Sequence, residues 1–202
     1  MLLNRVEYLL MNNPIRAAVQ RHVEAPLLRR MGGTISGGTA LEIGCGRGVG
    51  TRLILELFGA ARVDAFDLDP RMVRQARRRM RGEGRLWVGD ASAIAAPANT
   101  YDAVFDFGII HHVPAWRQAV AEAARVLKPG GRFYAEEMLA RFIQHPLMRR
   151  LLEHPQTDRF EAAGFRAALM DVGLTPVASR ELPGTMAWFV AEKPAAGANP
   201  RR

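Results

Sequence analysis

Leu41-Glu42-Ile43-Gly44-Cys45-Gly46-Arg47-Gly48-Val49-Gly50 sets an acidic residue two positions ahead of glycines that fall at every second place. A turn without Cβ atoms lets a ligand touch the backbone directly. The chemistry it serves is the holding of a nucleotide-like group where a strand ends and a helix begins. Two nucleotide spacings are excluded. The third glycine of G-x-G-x-x-G would have to be Val49 or Thr51, and no Gly-Lys-Ser/Thr follows for a phosphate-cradling loop. Further along stand Asp67, Asp69, Asp90, Asp106, the pair His111-His112 and the pair Glu136-Glu137. Carboxylates accept hydrogen bonds from hydroxyl and amino groups, and an imidazole suits proton removal near neutral pH.

Four segments carry a resemblance. They are Glu42-x-Gly44-x-Gly46-x-Gly48, the apolar stretch ending Asp67-Leu68-Asp69-Pro70, the run Tyr101-Asp102-Ala103-Val104 through Ile110-His111-His112, and Leu127-Lys128-Pro129-Gly130-Gly131. In this order over residues 40–137 they resemble the class I S-adenosylmethionine-dependent methyltransferases. The likeness is greatest to the small-molecule branch that includes ubiquinone/menaquinone-biosynthesis-type enzymes. It implies S-adenosyl-L-methionine as cofactor and S-adenosyl-L-homocysteine as product. It also implies that Glu42, Gly44, Gly46 and Gly48 form the cofactor turn. Asp67, beside Leu68, would take the ribose hydroxyls; Asp90, beside Ala91, would take the adenine amine; Asp106 would lie near the methionine ammonium. His111, His112 and Glu137 are the catalytic candidates, although histidines at this place are equally accounted for by packing or positioning. Amino-methylating DNA enzymes of the family carry Asp/Asn-Pro-Pro-aromatic after the fourth strand. Asp106-Phe107-Gly108-Ile109 departs from that.

The elements that must position these residues follow from periodicity. Strands are predicted near 40–43, 62–66, 85–88, 102–106 and 132–136, with helices near 48–58, 70–81 and 115–127 between them. Alternation of this kind predicts an α/β fold, and the resemblance makes it a Rossmann-like, seven-stranded, mostly parallel sheet with helices on both faces and an antiparallel last strand. Two helices precede it, Leu2 to Met11 and Pro14 to Arg30, the second with an apolar stripe of Ile15, Ala18, Val19, His22 and Val23. A helix from Gln156 to Val172 and strands near 175–180 and 186–191 complete the sheet. The expected organisation is one methyltransferase domain over 1–193. It divides into a helical cap (1–38), a cofactor-binding core (39–137), a substrate-side insert (138–160) and a sheet-closing end (161–193), with a disordered tail over 194–202.

Bulk properties narrow the function. The 202 residues are 49% hydrophobic, ordinary for a globular chain, and no apolar run reaches membrane-spanning length. The start does not read as a signal peptide. Cys45 is the one cysteine, which excludes an internal disulfide and fits a cytoplasmic location. No metal ligation is expected. The formal net charge is +8, with many arginines on one helix: Met72, Val73, Ala76 and Met80 share a face, and Arg71, Arg74, Arg77, Arg78 and Arg81 the opposite one. A solvated basic face is the simpler reading. The expected activity is methyl transfer to a small-molecule or lipid-like acceptor whose identity is set by the N-terminal helices and the insert, with Phe142, Ile143, Leu147 and Met148 of the insert suited to a partly apolar one. The alternatives are an RNA or protein methyltransferase using the basic surface, nucleic acid being the less favoured partner, and a non-catalytic S-adenosylmethionine-binding protein. Anchoring through the first helix is a weaker reading still.

Overall fold

The computed structural model describes residues 13–80, 82–151 and 157–195; the expected first helix, Arg81 and all of the tail beyond residue 195 lie outside them. The N-terminal helix starts at Pro14, where Asn13 caps it by accepting the Arg16 N–H at 2.8 Å. It runs as α1 (Pro14–Val19), a π-turn (Gln20–Glu24) and α2 (Ala25–Gly32). Pro26 lacks the N–H that would bond the His22 carbonyl, and the wider turn accommodates its ring. The stripe expected to pack inward does not. Ile15, Ala18, Val19, His22 and Val23 face outward, while Gln20, Glu24, Ala25 and Leu28 are buried. The reason is polar: Glu24 turns in to pair with Arg16, which also reaches Glu136.

The remaining elements are β1 (Thr39–Ile43), α3 (Val49–Phe58), β2 (Arg62–Asp67), α4 (Pro70–Arg79), β3 (Leu86–Val88), β4 (Tyr101–Phe107), α5 (Trp116–Val126), β5 (Leu127–Met138), α6 (Ala140–Ile143), α7 (Pro146–Leu151), α8 (Ala162–Asp171), β6 (Thr175–Leu182) and β7 (Met186–Glu192). They build one seven-stranded sheet in the order β3-β2-β1-β4-β5-β7-β6. The five strands β1–β5 pair in parallel, and β7 enters antiparallel between β5 and β6. The order reverses direction beside β1, and a sheet of this kind binds ligands at such a switch point, outside its strand ends.

Alternating strand residues feed two cores. Leu41, Ile43, Val104, Phe133 and Phe189 pack under α5 and α8, with Trp116 and Phe165 buried among them. Ala40, Val63, Phe105 and Tyr134 pack under α2 and α3, with Leu28, Ile54 and Phe58. Phe105 stacks on Tyr134 with centroids 4.6 Å apart. On α4, Met72, Val73, Ala76 and Met80 are buried and Arg71, Arg74, Arg77 and Arg78 exposed, as the spacing requires.

Two boundaries differ from expectation. The last helix begins at Ala162, because Phe160 is drawn into the aromatic cluster with Trp116 and Phe165 and its carbonyl accepts the Ala140 N–H. Leu127-Lys128-Pro129-Gly130-Gly131 is not only a helix stop. Leu127 already pairs with Tyr101, and the ladder slips before resuming at Ala103 and Arg132.

Candidate active site

The β1–α3 turn and the tips of β2 and β4 open onto a cavity of about 350 Å³, within the range of small-molecule sites. Gly44 has φ +68°, and a Cβ there would stand 2.4 Å from Ile109. Gly46 has φ +49°, and a Cβ there would meet no protein atom within 4 Å. The first glycine is needed by the fold; the second leaves bare backbone facing open space. Gly48 stands apart from the cavity lining and packs against Ala76 of α4, its φ of +81° starting α3.

Asp67 ties this turn to β2. Its Oδ2 accepts the Gly46 N–H at 2.9 Å and its Oδ1 the Asp69 N–H at 2.8 Å. Burial raises its carboxyl above the usual range, against the pull of those two donors. Asp69 caps α4 through the Arg71 N–H. Glu42 is buried and accepts the Thr51 hydroxyl proton; burial pushes its carboxyl up to about 8. Burial also pushes the Cys45 thiol up, which makes it a poor nucleophile. Asp90 is exposed at the mouth, where the Ser92 N–H and hydroxyl hold its carboxyl below the ordinary value.

Of the residues singled out in the sequence, Glu42, Gly44, Gly46, Asp67, Leu68, Asp90, Ala91 and His112 line the cavity. Gly48, Asp106, His111 and Glu137 do not, and each has a structural reason. Asp106 turns to the α5 face of the sheet, where its Oδ1 accepts the Ile109 N–H at 2.8 Å. Burial first, then the neighbouring Glu137, raise it well above a carboxylate's ordinary value. Glu137 accepts the Ile110 N–H at 2.8 Å, the His111 N–H at 3.1 Å and His111 Nδ1 at 2.5 Å. Burial brings its carboxyl to about 7. These groups form a buried support beneath the 3₁₀ turn Ile110–His112, and Arg159 clamps the turn from outside by donating to the His111 carbonyl at 2.6 Å. His112 is the member of that turn whose ring reaches the cavity, 4.2 Å between centroids from His111.

Neither carboxylate at the end of β5 lines the cavity, although Glu137 was a catalytic candidate. The alternation holds, but both faces are covered. Glu136 accepts Trp188 Nε1 at 2.9 Å and lies 3.2 Å from Arg16 Nη2; burial and Glu24 raise its carboxyl. Arg16, Ala17 and Gln20 therefore supply the opposite wall, with Ile109, Val113 and Pro114 beside them. The N-terminal helix thus stands on the acceptor side as expected, through Arg16, Ala17 and Gln20, whereas no described residue of the insert 138–160 lines the cavity. The signal for these particular residues is the polar series Arg16, Gln20 and Glu24, recurring every fourth residue across α1 and the π-turn.

Comparison with known proteins bears on this geometry. Residues 40–131 match the methyltransferase domain family. A fatty-acid O-methyltransferase of Mycolicibacterium smegmatis is 33% identical over 109 residues, which is 54% of this chain and 40% of that protein. A 2-methyl-6-phytyl-1,4-hydroquinone methyltransferase of Synechocystis is 28% identical over 168 residues, covering 76% of this chain and 52% of the relative. The chain thus spans about half the length of the curated relatives it matches. An S-adenosylmethionine-dependent methyltransferase from Mesorhizobium loti superposes with a TM-score of 0.71 at 17% identity, over 83% of this chain and 96% of that one, and shares the fold.

Proposed function

We propose that this chain, which carries a methyltransferase domain of the class I S-adenosylmethionine-dependent kind, transfers a methyl group to a small, lipid-like acceptor. The observation that carries the reading is the division of the cavity. One wall offers bare backbone at Gly46 with carboxylates at Asp67 and Asp90; the other offers an arginine, a glutamine and apolar side chains from distant parts of the chain. The first wall fits a nucleoside. Asp67 accepts hydrogen bonds at the tip of β2, where ribose hydroxyls need acceptors, and Asp90 offers an acceptor to an exocyclic amine. Leu68 and Ala91 give an apolar bed for the ring, and Gly46 leaves room for close approach. Glu42 braces the turn through Thr51 rather than binding as a charge. Asp106 is not assigned to the ammonium, since it stands outside the cavity lining and its Oδ1 accepts the Ile109 N–H.

S-adenosylmethionine, when bound, supplies an electrophilic methyl group on a positively charged sulfur. The chain's own residues orient the acceptor and exclude water. His112 faces the acceptor side, and its imidazole removes the proton of a hydroxyl acceptor. His111 and Glu137 are positioning residues: they hold the turn that presents His112. The relatives named above act, by their names, on a fatty acid and a hydroquinone; both acceptors are apolar molecules with an oxygen or ring carbon to methylate. The test is release of S-adenosylhomocysteine from S-adenosylmethionine across a panel of fatty acids and prenylated quinols. Turnover on a panel member that falls sharply in His112→Ala is expected. Cofactor binding with no turnover on any member would instead support a non-catalytic binding protein.

A further inference from the structure

The outward stripe of the N-terminal helix is an apolar surface feature that the fold does not account for. Ile15 is 76% exposed, Val19 39% and Val23 55%. They recur every fourth residue, so they form one continuous ridge rather than scattered apolar contacts. A soluble helix ordinarily buries such a stripe and shows its polar side to water. Here the order is reversed: Gln20 and Glu24 point inward, and the aliphatic side chains point out.

We infer that the ridge Ile15–Val19–Val23 is the face by which the protein docks on an anionic lipid surface, delivering the cavity mouth to a membrane-resident acceptor. Three observations converge on this occupant. The ridge shares its helix with Arg16, Ala17 and Gln20, which line the cavity, so whatever covers the ridge lies beside the opening. The surrounding charge is basic. Arg29 and Arg30 are exposed on the same helix, and the chain as a whole carries +8. Arg47 and Arg79 join the same rim through two hydrogen bonds, Arg47 to the Asn13 carbonyl at 3.3 Å and Arg79 to the Arg47 carbonyl at 2.8 Å. An apolar ridge flanked by arginines has the chemistry of an interfacial helix: the aliphatic groups enter the acyl boundary and the cations meet anionic headgroups. No helix among the described residues is long and apolar enough to cross a membrane. The surface itself stands on exposure and charge; the purpose of the docking rests on the lipid-like acceptor proposed above.

The test is flotation of the purified full chain with vesicles of phosphatidylcholine alone and of phosphatidylcholine mixed with phosphatidylglycerol. Binding to the mixed vesicles is expected, and it should weaken with added salt. The variant Ile15→Asp/Val19→Asp/Val23→Asp is expected to lose roughly tenfold or more of that binding while keeping its affinity for S-adenosylhomocysteine, which reports that the core is folded. Should that variant misfold, Ile15→Ser/Val23→Ser removes less apolar surface and is expected to weaken vesicle binding several-fold. Arg29→Gln/Arg30→Gln is expected to erase the preference for anionic vesicles. Failure of the unmodified chain to float, or equal flotation of the ridge variants, would overturn the inference. So would a ridge variant that converts a dimer to a monomer without any vesicle binding, since the ridge would then seat a second copy. Loss of S-adenosylhomocysteine binding by the unmodified chain would count against the methyltransferase reading instead.

Discussion

The two walls of the cavity are made in different ways. The wall of Gly46, Asp67 and Asp90 comes from the tips of the consecutive strands β1, β2 and β3, held within or between adjacent strand ends, as when Asp67 accepts from Asp69 and from Gly46 on the neighbouring strand and Asp90 from Ser92. The wall of Arg16, Gln20, Ile109 and His112 is assembled across the whole chain. Arg16 is held by Glu136, 120 residues away, and His112 sits on a turn propped by Glu137 and clamped by Arg159. A wall of the first kind keeps its chemistry wherever the strands keep their order. A wall of the second kind can be rebuilt by changing loops and helices, which suits it to choosing the acceptor.

The contrast can be broken first at its buried supports. Glu137→Ala removes the acceptor of two backbone N–H groups and of His111 Nδ1 in a fully buried setting. A loss of about 3–5 kcal/mol is expected in denaturant unfolding, together with loss of turnover on any accepted substrate. Next comes pH. Glu42 titrates near 8 and Glu137 near 7 in the folded chain, and Glu136 is also raised. Each folded-state value lies above the unfolded one, so the folded state binds more protons between pH 4.5 and 8 and stability falls as pH rises through that window. A drop on the order of a few kcal/mol between pH 5 and pH 8 is expected, shallower in Glu42→Gln. A stability that rises over the same window would contradict the burial of these acids. The smallest effect separates two glycines. Gly44→Ala drives a methyl into Ile109 and should lower stability by about 1–3 kcal/mol. Gly46→Ala adds a methyl to open space, so its cost to the fold is the left-handed backbone alone, about 1 kcal/mol. Its larger effect should appear as weaker cofactor binding in calorimetry.

How far the sequence could be read follows the same division. The alternation of strands and helices and the buried side of α4 were legible because they depend on periodicity. The first wall was legible because glycine spacing and strand-end acids are local signals. The orientation of the N-terminal helix was not legible. Its apolar stripe obeyed the helical period, but a buried arginine–carboxylate network decided which side faced the sheet, and Glu24 and Glu136 are too far apart in sequence for any pattern to link them. His111 and His112 were indistinguishable as letters; only the 3₁₀ turn sends one ring to Glu137 and the other to the cavity. Asp106 and Glu137 stand at strand ends but turn to the support beneath the 3₁₀ turn, where each accepts backbone N–H groups.

The most direct measurement of the central claim is a calorimetric titration of S-adenosylhomocysteine into the unmodified chain, Asp67→Ala and Gln20→Ala. Binding at one site is expected for the unmodified chain. Asp67→Ala should weaken it by about 1–3 kcal/mol, the loss of a charged hydrogen-bond acceptor, and Gln20→Ala should leave it unchanged because that residue stands on the acceptor wall. Equal affinity in Asp67→Ala, or a larger loss in Gln20→Ala, would show that the two walls do not divide the work in this way.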